Sequence, residues 1–192
     1  MTPVLWALFV AMSSPVLLGA LLGAASLHEW GHWAMLRRLG GGVKCLTISP
    51  FGAEMTISDD TRLSYGGEML VTLAGPLVNI LFALILGFLG AVWERAYVFA
   101  GAQLILGLFN LIPANPLDGG RLLWLITAWL TEPFTADRVA SAVGVIVSSA
   151  LLAGGLLLMQ RTGGSPFLLL GAVGLLVSSM REMGLVKFAP AR

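Results

Sequence analysis

Cysteine is nearly absent from this chain. Cys45 stands alone among 192 residues, which excludes an internal disulfide and any metal cluster built on thiolates. Histidine is almost as scarce, with two in the chain. Charge is scarce as well: Asp, Glu, Lys and Arg make up 11% of the residues, where a soluble domain carries about a quarter. A net charge of +1 argues for no nucleic acid partner. Apolar residues fill the gap, at 57% with a mean hydropathy of +0.90. These values predict an all-α polytopic membrane protein in contact with the lipid bilayer.

Apolar runs broken by polar residues or by Pro and Gly fall at about 3–14, 16–36, 68–92, 97–112, 118–130, 138–160 and 165–180. The opening MTPVLWALFVAM has no basic region before its apolar stretch, so it reads as a retained first span rather than a cleaved signal. The runs 97–112 and 118–130 are short and flank Pro113-Ala114-Asn115-Pro116, which makes them one broken span. The expectation is about six transmembrane helices at ~20 residues each. They would form a single membrane-embedded domain over 1–192, with no room for a CBS or PDZ domain. Six spans place Arg37, Arg38, Lys44, Arg62, Arg121, Arg138, Arg181, Lys187 and Arg192 on one side of the membrane and Arg95 and Arg161 on the other. Positive charge collects on the cytoplasmic side. The chain is therefore expected in the cell membrane, multi-pass, with both termini cytoplasmic. Alternation around Pro50-Phe51-Gly52 predicts a small cytoplasmic β-hairpin, an ordinary loop being the alternative.

Both histidines lie in HEWGH, residues 28–32. On a helix, residues four apart share a face, so His28 and His32 can grip one metal ion. Glu29 sits beside that ion and can take a proton from the attacking water. The alternative is a pair of structural histidines. A catalytic zinc ion normally takes three protein ligands. With the histidines used, a carboxylate is the natural third, and Asp118 is the acidic residue in an apolar context beside broken backbone. Asp118 could equally be the N-cap of a helix over 119–130. A polytopic metal transporter using the same residues is the rival reading from another class.

HEWGH, then LAGPLVN at 73–79, then FNLIPANPLDGGR at 109–121, together resemble the site-2 protease family of intramembrane zinc metalloproteases. The resemblance covers about 16–130, the family's three-helix catalytic core. It implies Zn2+ held by His28, His32 and Asp118, with Glu29 as the catalytic base. It also implies that Asn110, eight residues before the aspartate, positions the scissile carbonyl or stabilises the oxyanion; capping of helix carbonyls is the alternative for Asn110. Asn79 is a weaker candidate, since helix packing through Gly75 explains LAGPLVN as well. A noncatalytic relative that binds membrane proteins without cutting them would be expected to lose Glu29 or a ligand, and all are present. The small size, the SPFG turn and the apparent span number resemble the stage IV sporulation protein FB branch. That likeness implies a membrane-associated protein substrate such as a sporulation sigma factor precursor, and membrane regulatory partners. The chain departs from the branch at PFGAEM, where PFGG is common, and has no room for its CBS domain.

Overall fold

The computed structural model of the chain describes residues 14–49, 52–57, 63–162 and 167–182. In chain order these contain α1 (Pro15–Arg38), β1 (Val43–Ser49), β2 (Gly52–Ile57), α2 (Tyr65–Leu89), α3 (Ala96–Asn110), α4 (Asp118–Leu130), α5 (Pro133–Thr162) and α6 (Phe167–Glu182). The expected first span over 3–14 lies outside the described residues, apart from Ser14. The chain divides into two compact units, one through Asn110 and one from Leu111.

In the first unit, α1 begins where Ser14 Oγ accepts from the Leu17 N–H at 3.2 Å, with Pro15 occupying a first-turn position that needs no donor. It ends in a Schellman turn: the Gly40 N–H donates to Arg37 O at 3.1 Å and the Gly41 N–H to Leu36 O at 2.9 Å. Gly40 supplies the φ of 78° that this turn requires. Arg37 and Arg38 sit in the last turn, where a cation meets the negative end of the helix dipole. β1 and β2 pair antiparallel, with Ser49 opposite Gly52 and Val43 opposite Ile57, and an irregularity between Val43 and Cys45. The strands of the expected hairpin are thus present; Pro50 and Phe51 of its turn lie outside the described residues.

The helix α2 is built inside out relative to a helix of a water-soluble protein. Its buried positions are Thr72, Ala74, Gly75, Pro76, Asn79 and Ala83, whereas Leu77, Leu81, Leu84 and Phe88 are exposed, Phe88 at 82%. Polar and small residues face inward and large apolar ones face outward, an arrangement suited to a lipid environment. Among the described residues, α2 and α5 are long and apolar enough to cross a membrane, and α3 is apolar but shorter. The protein is a mostly helical membrane protein. α1 and α3 meet through Ala20, Ala24 and Ala102, flanked by Leu21, Phe99 and Leu106. These small side chains bring the two backbones close.

In the second unit, residues 111–117 form a compact turn, with the Ala114 N–H donating to Ile112 O at 2.8 Å and the Leu117 N–H to Ala114 O at 2.9 Å. Trp124 of α4 donates from Nε1 to Asp137 Oδ1 on α5 at 2.6 Å. α5 and α6 pack together. Gly144 makes room for Ser179, since a Cβ there would lie 2.8 Å from the serine Oγ.

Candidate metal centre

His28 and His32 are one turn apart on α1, and their Nε2 atoms lie 3.1 Å from each other. The rings meet edge to face, with centroids 4.7 Å apart and an interplanar angle of 85°. His32 Nδ1 lies 2.8 Å from the backbone oxygen of Val71 on α2. A carbonyl only accepts, so Nδ1 donates and, in the neutral ring, Nε2 is left with its lone pair. His28 Nδ1 lies 2.6 Å from Asn79 Oδ1, which likewise leaves its Nε2 as an acceptor. The two Nε2 atoms face each other at 3.1 Å, where one shared cation can bridge them. Two nitrogens bound to one tetrahedral zinc at ~2.0–2.1 Å are about 3.3 Å apart. The pair fits a single zinc ion, and each ring hands its other proton to an acceptor, as metal-bound imidazoles do.

The fit depends on two glycines facing each other across α1 and α2. A Cβ on Gly31, inside HEWGH, would come within 2.7 Å of Ala74 O, which is rigid backbone. A Cβ on Gly75 would strike the His32 ring at Nε2 and Cε1. One glycine lets the helices approach, and the other leaves a seat for the imidazole. Pro76 follows in α2 and withholds a backbone N–H from Thr72, the carbonyl after Val71.

Glu29 is half-buried on α1, directly after His28. Asn110 is the last residue of α3, and its Nδ2 donates to Leu106 O at 3.0 Å, the carbonyl contact anticipated as the alternative to catalysis. Asp118 belongs to the second unit and is half-buried. It is not the N-cap of its helix: Leu117 takes that position with φ −75° and ψ 158°, and Asp118 is the first helical residue. Its carboxylate is thereby placed at the positive end of the α4 dipole. Gly119 and Gly120 are needed directly after it, because the 111–116 turn lies against them. A Cβ on Gly119 would strike Leu111 O, and one on Gly120 would lie 2.5 Å from Asn115 Oδ1 and 2.7 Å from the Ala114 carbonyl carbon.

Asn79, the weaker candidate by sequence, lies with Gly75 among the buried positions of α2, in keeping with the packing alternative. It is completely buried, and its amide is committed to His28 and to Ala24 O, to which Nδ2 donates at 3.0 Å. It therefore has no donor to spare for an oxyanion. Gln103 does not stand out from sequence, yet it is 3% exposed and bonded to Asn79. An amide in the middle of the apolar stretch AYVFAGAQLILGLF is the signal that could have found it.

Known proteins supply an independent comparison. Residues 90–154 match the model for peptidase family M50. A zinc metalloprotease of Methanocaldococcus jannaschii is 28% identical over 141 residues, 70% of this chain and 41% of the relative. Stage IV sporulation protein FB of Bacillus subtilis is 30% identical over 104 residues, 52% of this chain and 36% of the relative. The chain thus spans about two fifths of the length of the curated relatives it matches. Among solved structures, a site-2 protease from Methanocaldococcus jannaschii superposes with a TM-score of 0.71 at 25% identity, covering 98% of this chain and 88% of that one.

Proposed function

The chain belongs to the site-2 protease family, and from that premise we propose that it is a zinc-dependent endopeptidase that cuts a membrane-associated protein within or near its transmembrane segment. The observation that carries this reading is the pair of Nε2 atoms at 3.1 Å, with each Nδ1 within hydrogen-bond distance of an oxygen on α2. The names of the relatives add support for zinc as the metal. Zinc, when bound, supplies a Lewis acid that polarises the scissile carbonyl and makes water acidic enough to attack near neutral pH. His28 and His32 hold it through Nε2, and Asp118 is the proposed third ligand. Glu29 accepts the proton of the attacking water and passes it to the leaving amine. Asn110 turns its Nδ2 from Leu106 O to the oxyanion. A helical substrate hides its carbonyls, so it must unwind; adding as an extended strand to the β1–β2 hairpin offers it backbone partners.

The membrane arrangement belongs to the same proposal: a single membrane-embedded domain over 1–192 in the cell membrane, about six spans, and both termini cytoplasmic. The proposal extends to a signalling substrate such as a sporulation sigma factor precursor, with membrane partners as regulators; what supports a role in sporulation is the likeness to stage IV sporulation protein FB. The test incubates purified chain with candidate single-span membrane proteins, with and without a zinc chelator. Cleavage that stops on chelation and returns with zinc is expected. Cleavage indifferent to chelation would overturn the reading.

A further inference from the structure

An amide on an apolar helix must find partners, because a buried unsatisfied polar group costs about 1–3 kcal/mol. Gln103 of α3 faces this problem at 3% exposure, and Asn79 of α2 at 0%. They answer it together: Asn79 Nδ2 donates to Gln103 Oε1 at 2.5 Å and to Ala24 O at 3.0 Å. The Ala24 carbonyl can only accept, and Gln103 Oε1 accepts beside it, so the nitrogen end of the Asn79 amide faces them. Its Oδ1 is left facing His28 Nδ1 at 2.6 Å. Turned over, the amide would set Oδ1 against the Ala24 carbonyl and Nδ2 against the imidazole, and Gln103 would have to turn as well. A neutral imidazole has one proton and two places for it, and its partner chooses the place.

We propose that Gln103 is a positioning residue for the metal centre: together with the Ala24 carbonyl it holds the Asn79 amide in one orientation, which fixes His28 as the Nδ1–H tautomer and leaves Nε2 for the metal. The inference rests on the reading of His28 and His32 as zinc ligands. It extends the support of that ligand across three helices, from α1 through Asn79 of α2 to Gln103 of α3. Ala24, one turn before His28, supplies the second acceptor. Gln103 touches neither metal nor substrate in this role and acts only through Asn79.

The chain carries two histidines, so ring-15N labelling of the full chain in detergent gives two resolvable sites. In metal-free wild type at pH 8, both are expected as Nδ1–H. Gln103→Leu should admit the Nε2–H form at His28 and leave His32 unchanged, because Val71 O pins that ring. Zinc affinity, measured by competition with a chromophoric chelator, should fall about 10-fold or more, the usual effect of losing an outer-shell partner. Gln103→Glu, whose carboxylate still accepts from Asn79, should restore both readouts. In an Asn79→Asp background either oxygen can take the His28 proton, so Gln103→Leu should there change zinc affinity by less than about 2-fold, the missing increment measuring the coupling. Should the leucine variant fail to fold, Gln103→Met keeps the length and tests the same loss. Unchanged tautomer and affinity in the folded variant would overturn the inference, as would an equal loss of affinity in the Asn79→Asp background. Wild type that binds no zinc would overturn the metal-centre reading itself, a failure seen without any variant.

Discussion

At the scale of single residues, the proposed division of labour separates binding from chemistry. Glu29→Gln keeps the shape of the side chain and removes its basicity, so zinc content should match wild type while cleavage is abolished; metal analysis beside a cleavage assay reads both. Asp118→Ala should do the reverse and lower zinc stoichiometry or affinity. Stoichiometric tight zinc in that variant would remove Asp118 from the ligand set. Asn110→Ala should retain zinc and thermal stability while cleavage falls by ~100-fold or more, the usual cost of one oxyanion donor. If stability falls in step with activity, the bond to Leu106 O is its function instead. The i, i+4 histidines were legible in the sequence because helix geometry alone brings them together. The partners of Nδ1 were not, since Val71 and Asn79 are 39 and 51 residues away in sequence and only packing brings them near.

Among the elements, the seam between α1 and α2 is where small changes should matter most. Gly75→Ala places a methyl group in the His32 ring, so the ring must leave its seat; zinc affinity should fall while the helical content by circular dichroism persists. Gly31→Ala meets the Ala74 carbonyl, which is backbone and yields only if the helices separate. Overpacking of this kind costs about 1–3 kcal/mol, and a lowered thermal midpoint in detergent would register it. The helices themselves were readable from apolar runs, with ends displaced by a few residues where capping decides: α5 begins at Pro133, not near 138, since the polar first turn through Asp137 and Arg138 is helical without being apolar. The hairpin was readable from alternation. The start of α4 was not, because Asp and Leu can each precede a first turn, and the packing of 111–116 against Gly119 and Gly120 selects between them.

For the whole molecule, zinc should act as a ligand of the native state. At 100 times its dissociation constant it stabilises by about 2.7 kcal/mol, so chelation should lower the unfolding midpoint and added zinc should restore it, an effect that His28→Ala abolishes. The topology proposal is tested by a reporter active only in the cytoplasm, placed once after Arg192 and once in the 93–96 segment; activity at the first site and silence at the second is expected, and the opposite pattern overturns both cytoplasmic termini. Composition alone made the membrane environment readable, because a chain with 11% charged residues cannot cover a water-soluble surface. The inside-out character of α2 was not visible at that level, since LAGPLVNILFAL reads as uniformly apolar until neighbours reveal which side is covered.

The brevity of the hairpin has a consequence for what can be recognised. β1 has seven residues and β2 six, and among the described residues each strand is paired along one side only. At ~3.3 Å per residue, a guest segment laid along either open edge is held over roughly 20 Å and then released. Because alternate side chains point to opposite faces, no more than about three of its residues can be inspected on any one face. If the proposed substrate is read through so short a ruler, its sequence should matter little and its extendability much, so residues that resist helix formation should predict cut sites better than any fixed motif.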